Sequence, residues 1–158
     1  MTNKITSFLW FNNNAEEALN FYVSLFPNSK IESIAKYPDS MPDMAGKVLT
    51  AIFNLDGQEF IALDGGPQFP HTEAFSMFVD CENQEEVDRL WTAFISNGGE
   101  ESQCGWLKDK FGLSWQIIPK QLGEFMSNPD PVKSGKAMQA MLKMHKIDIA
   151  ELERAANE

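Results

Sequence analysis

Several things that define large classes of protein are scarce in this chain. No stretch approaches the roughly 20 consecutive apolar residues of a membrane-spanning helix, and Met1-Thr2-Asn3-Lys4-Ile5 lacks an apolar signal segment. A cytoplasmic location is the expectation. There are two cysteines, Cys81 and Cys104, too few for a disulfide framework or a zinc site, and two histidines. Positive charge is also short: 13 Lys and Arg face 23 Asp and Glu, giving a formal charge of −10 and a pI near 4.6. Nucleic acid and anionic membrane are therefore not expected as partners.

What is present is a chain of 158 residues, 43% of them apolar, enough to bury a core in one or two small domains. The charge is uneven, with 8 basic and 19 acidic residues over 1–132 against 5 and 4 over 133–158. Asn128-Pro129-Asp130-Pro131 marks the change, because prolines there interrupt helix and strand alike. The expected organisation is a domain over 1–130, made of a first module 1–69, a second module 70–119 and a connecting helix 119–130. A helical tail then covers 131–158.

An internal repeat organises the domain. Ser7–Ser33 laid over Ser76–Ser102, an offset of 69, gives identities at Ser7/Ser76, Asn14/Asn83, Glu16/Glu85, Glu17/Glu86, Asn28/Asn97, Glu32/Glu101 and Ser33/Ser102. Each half parses alike. Ile5–Phe11 and Phe75–Cys81 read as strands. Asn14 and Asn83 then stand three residues before Glu17 and Glu86, the spacing of a capping box. Ala15, Ala18, Leu19, Tyr22 and Phe26 form one helical stripe, and Val87, Leu90, Trp91, Phe94 and Ile95 form the other. Three strands follow each helix: Lys30–Tyr37, Lys47–Asp56 and Gln58–Asp64, then Glu100–Cys104, Trp106–Lys110 and Leu113–Ile118. The fold class expected is α+β, βαβββ twice with C-terminal helices. A helix covers one face of each sheet, so the other faces are expected to enclose a cleft, the default binding site.

Phe8-Leu9-Trp10-Phe11 through Ala15-Glu16-Glu17-Ala18 to Phe21-Tyr22, then Leu25-Phe26-Pro27-Asn28-Ser29-Lys30-Ile31, resembles the vicinal-oxygen-chelate superfamily of glyoxalases, extradiol dioxygenases and bleomycin- and fosfomycin-resistance proteins. Together with Gly105-Trp106-Leu107-Lys108-Asp109-Lys110-Phe111-Gly112-Leu113-Ser114-Trp115-Gln116-Ile117-Ile118-Pro119, it resembles the PhnB-like branch in particular. Members there often carry the description 3-demethylubiquinone-9 3-methyltransferase. The resemblance implies a glyoxalase/bleomycin-resistance-type curved mixed sheet. Methyl transfer by a Rossmann-type fold is not expected, since none of the ten glycines forms a G-x-G at a strand-to-helix junction.

Catalytic members of the superfamily hold a divalent ion with His, Gln and Glu from the first and last strand of each module. The resemblance places those positions at Ser7, Ile61, Ser76 or Ala74, and Gln116. Such a set does not hold a divalent metal, so no metal and no cofactor are expected. Other candidates have simpler readings. His71, which with Glu73 is an alternative ligand pair, reads as an exposed loop residue, and His145 as a helix C-terminal cap. Cys104 reads as a buried, inert thiol rather than a nucleophile. Glu16, Glu17, Glu85 and Glu86 read as first-turn charges.

Strand alternation predicts a pocket lined by Ser7, Leu9, Phe11, Ile61, Leu63, Ser76, Phe78, Gln116 and Ile118, with Phe8, Trp10, Phe60 and Trp115 facing the helices as core. Trp106 reads either as packing or as a ligand platform, and is placed with the lining. Two functions fit: a metal-free protein that binds a small apolar or aromatic molecule, or a lyase, isomerase or dioxygenase-like enzyme using other metal ligands or an acid/base such as Glu59, Asp64 or His71. In the tail, Met138, Met141, Leu142 and His145 share a helical face, ahead of a short helix over Ile149–Ala156. The resemblance implies a homodimer.

Overall fold

A computed structural model describes residues 3–158; Met1 and Thr2, the start of the first module, lie outside the described residues. The fold is α+β, in two compact units, Met1–His71 and Thr72–Glu158.

The first unit runs β1 (Ser7–Phe11), α1 (Ala15–Leu25), β2 (Lys30–Lys36), β3 (Val48–Leu55) and β4 (Gln58–Asp64). Its sheet order is β1-β4-β3-β2, with β1 parallel to β4 and the other pairs antiparallel. The apolar stripe of α1 buries Ala15, Ala18, Leu19, Tyr22 and Leu25 on the sheet face that carries Leu9, Phe11, Ala51, Phe53, Phe60 and Ala62, all buried. Ala51 pairs with Ala62, and two small residues side by side let a helix approach closely. Phe53 and Phe60 stack beside them, centroids 5.4 Å apart. The β3–β4 turn has positive φ at both Asp56 (50°) and Gly57 (81°), the two-residue hairpin that Asp-Gly favours.

The second unit begins with the same plan: β5 (Ser76–Cys81), α2 (Gln84–Ser96), β6 (Glu100–Glu101), β7 (Trp106–Lys108) and β8 (Ser114–Pro119), in the order β5-β8-β7-β6. Val87, Leu90, Trp91 and Phe94 of α2 are buried together with Leu107, Trp115 and Ile117 of the sheet, and Phe94 lies 4.8 Å from Trp115, centroid to centroid. Three further helices follow, α3 (Gln121–Met126), α4 (Pro131–Met141) and α5 (Ile149–Asn157). Ala137, Met144, Ile147, Leu152 and Ala156 form their shared core.

The tail is stitched to the second sheet and helix by polar bonds as well. Gln84 at the start of α2 donates to the Ile147 carbonyl (2.9 Å) and accepts from the Ile149 amide (2.8 Å). Cys104 and Gly105 donate to the Met144 and His145 carbonyls at 2.8 and 2.7 Å. Of the face expected of α4, Met141 packs against the core of the tail, whereas Met138 and Leu142 are exposed; Ala137 is buried. Helix α4 also ends before His145, whose Nδ1 lies 2.8 Å from the Ser102 carbonyl rather than on a helix terminus.

Candidate functional site

Which face a strand residue takes is set by the helix that follows it. Four steps separate Phe11, the last residue of β1, from Ala15 of α1, whereas three separate Cys81 from Gln84. The first turn therefore holds one residue more. Asn13 absorbs it in the left-handed region (φ 63°), which asparagine tolerates better than most side chains. The helices repeat at an offset of 69, but the strands before them repeat at 70.

That single insertion reverses β1. Ser7, Leu9 and Phe11 lie opposite Phe60, Ala62 and Asp64 of β4, on the helix side. Leu9 and Phe11 are buried, and Phe11 lies 6.4 Å from Tyr22 of α1. These three are core-side residues, not pocket lining. Phe8 and Trp10 take the helix-free face instead, beside Ile61 and Leu63. Phe8 is 52% exposed, and Trp10 is held edge-on to Phe69 with its Nε1 donating to the Gly66 carbonyl. Phe60 and Trp115 are core as expected.

Two acid/base candidates of this unit have structural partners. Asp64 is buried, and its two carboxylate oxygens accept from the Ala15 amide (2.8 Å) and the Val48 amide (2.9 Å). His71 is half-buried rather than loop-exposed, its ring edge-on to Phe11 at 5.5 Å.

In the second unit the alternation falls as expected. Met77, Val79, Trp115 and Ile117 take the helix side, and Ser76, Phe78, Ser114, Gln116, Trp106 and Lys108 share the helix-free face. Phe78, Gln116 and Trp106 stand directly opposite one another across β5, β8 and β7, so an amide is flanked by two aromatic rings. Gln116 Nε2 donates to Ser76 Oγ at 3.0 Å. Phe78 is 59% exposed. Ile118, expected in the lining, packs instead against the tail core, because the chain at Gly105 and Ile147 crosses the end of β8.

Farther along the same face lie Lys108 and Ser114. Lys108 Nζ is 2.6 Å from Glu73 Oε1. The bond from Lys108 holds the Glu73 carboxyl below its ordinary range, and the same bond raises the Lys108 ammonium. Ser114 and Lys108 could have been found by carrying the alternation two residues on from Gln116 and Trp106. Cys104, at positive φ (58°), is partly rather than fully buried. Burial pushes the thiol of Cys81 up to about 12, so it stays protonated at neutral pH.

The four superfamily ligand positions do not converge as donors. Ser7 is on the helix side, Ile61 has no donor, and Ser76 and Gln116 bond to each other. Among the described residues no three His, Cys, Asp or Glu side chains are grouped to hold a metal ion.

Residues 3–118 match the family model described as 3-demethylubiquinone-9 3-methyltransferase. A PhnB protein from Bacillus cereus, described as a putative 3-demethylubiquinone-9 3-methyltransferase, is 40% identical with a TM-score of 0.69, over 74% of this chain and 99% of its own. A Pseudomonas aeruginosa protein is 22% identical (TM-score 0.58; 72% of this chain, 95% of its own). The fosfomycin resistance protein of Listeria monocytogenes, solved with manganese(II) and sulfate, shares the fold at 13% identity (TM-score 0.51; 73% and 90%). No curated protein matches the chain.

Proposed function

The chain belongs to the family described as 3-demethylubiquinone-9 3-methyltransferase, in the PhnB-like branch of the vicinal-oxygen-chelate superfamily, and on that premise we propose that it binds a small, largely apolar or aromatic molecule on the helix-free face of its second sheet. The observation that carries this reading is the row Phe78–Gln116–Trp106. A large aromatic side chain exposed in mid-strand is costly to keep in water, and here it adjoins an amide and a second ring. Stacking on the rings with one hydrogen bond to Gln116 is the binding chemistry this offers.

The reading is metal-independent. Manganese belongs to the description of the Listeria protein, while this chain places a hydrocarbon at Ile61 and commits Ser76 and Gln116 to each other. Methyl transfer is not part of it either: the strand-to-helix junctions are Asn12-Asn13-Asn14 and Glu82-Asn83, without a glycine that would let backbone approach a cofactor. The proposal includes a homodimer, supported by Met138 and Leu142, exposed one turn apart at the end of α4, and light scattering at micromolar concentration tests that part.

The main test is native mass spectrometry of protein purified without chelators, followed by a thermal-shift screen of small aromatic compounds, since a ligand of the folded state raises Tm. Phe78→Ala should abolish such shifts while leaving the melting temperature of the free protein unchanged or higher. Stoichiometric transition metal in the purified protein would overturn the reading.

A further inference from the structure

The helix-free face of the second sheet is not uniform. Beyond Trp106 it ends in a cavity of about 160 Å³, walled by residues of this unit alone, among them Glu73, Glu100, Glu101, Trp106, Lys108 and Ser114. That volume is close to the roughly 150 Å³ of an engineered cavity known to admit benzene. Ser114 is 1% exposed and lines this cavity, yet its Oγ has no hydrogen-bond partner among the described residues. A buried hydroxyl without a partner is unfavourable, and nearly all buried polar groups in native proteins are satisfied, by protein atoms, ordered water or a bound molecule.

The charges around it say what. Two carboxylates, Glu73 and Glu100, face a single cation, Lys108, on this side of the sheet. Lys108 bonds to Glu73. Glu101, at the cavity's edge, turns its carboxylate to the helix side, where Oε1 accepts from Trp91 Nε1 at 2.9 Å. The cavity therefore carries an excess of one negative charge beside an indole and a hydroxyl oxygen, a combination that selects a cation over an anion.

We propose that this cavity takes the ammonium group of a small organic amine, which donates to Ser114 Oγ, lies against the carboxylates and contacts Trp106. The inference rests on the proposed function, and names the head group of the ligand whose apolar part stacks on Phe78 and Trp106. No bond is made or broken; the step is recognition alone.

Three probes of one shape, differing in the head, test it on the full chain by calorimetry and amide chemical-shift perturbation: benzylammonium, benzyl alcohol and benzoate. Benzylammonium should bind about tenfold more tightly than benzyl alcohol, the difference expected of a charge-assisted hydrogen bond, and benzoate should not bind. Ser114→Ala should weaken benzylammonium about fivefold without lowering Tm, because it removes an unpartnered hydroxyl. Lys108→Met should strengthen it, since the resident cation is gone. Preference for benzoate, weaker amine binding in Lys108→Met, or failure of benzylammonium to bind would overturn the inference. Equal binding of alcohol and amine, lost in Phe78→Ala but kept in Ser114→Ala, would overturn it while leaving the broader function standing.

Discussion

In the first unit the opening amide of α1 is held by Asp64, at the far end of β4, and Asn14 makes no side-chain cap. In the second, the start of α2 is held from next door: Asn83 accepts from the Glu86 amide at 3.0 Å, and Glu86 reaches back to the Glu82 amide at 2.7 Å. A cap drawn from an adjacent residue requires a fixed turn length. An anchor drawn from another strand does not, so the first unit accommodates Asn13 and the second has no equivalent. Asp109 does comparable work elsewhere in the second unit, accepting from the Phe111 and Leu113 amides and from Trp115 Nε1 at 2.8–3.0 Å.

The largest break in this contrast is Asp64→Ala. It strands two buried amides and should cost about 3 kcal/mol in urea denaturation; a loss below about 1 kcal/mol would show that α1 is held by something else. Asn83→Ala should cost about 1 kcal/mol and Asn14→Ala only about a third of that, so equal losses would erase the difference between the two helix starts. Asn13→Val forces a branched residue into the left-handed region and should cost about 1 kcal/mol, with Asn13→Gly near neutral.

The smallest effect is absent at neutral pH. Both cysteines lie in the second unit. Since the folded-state pKa of Cys81 is raised from 9.0 to about 12, the unfolded chain gives up its proton first as pH rises. Stability supplied by the protonated thiol is whole below pH 9.0 and declines from there towards about 12. Cys81→Ala should flatten that alkaline decline, and an unchanged slope would assign it to other groups.

The βαβββ plan, both helices and the core roles of Phe60 and Trp115 were legible because periodicity and repetition report on them directly. The facing of β1 was not. Alternation fixes which residues share a face but not which face it is, and the deciding fact, one additional residue in Asn12-Asn13-Asn14, is invisible to an ungapped repeat. Ile118 failed for another reason: nothing local in β8 announces that residues 144–147 cross it. Asn14 and Asn83 look equivalent in sequence, and only Asp64, fifty positions from Asn14, separates them.

The bracket formed by Gln84 has a consequence for how the protein is made. Every hydrogen bond described for the first unit is complete once residue 71 has been added and has room to fold. The side chain of Gln84 in the first turn of α2, by contrast, waits for the Ile147 carbonyl and the Ile149 amide, although the local cap from Asn83 and Glu86 forms without them. Chain growth from the N-terminus lets early segments fold first, so the nascent protein passes through a stage with its first sheet closed and its second helix capped but not yet tied to the tail. The second unit locks only after residue 149 has been added and has room to fold.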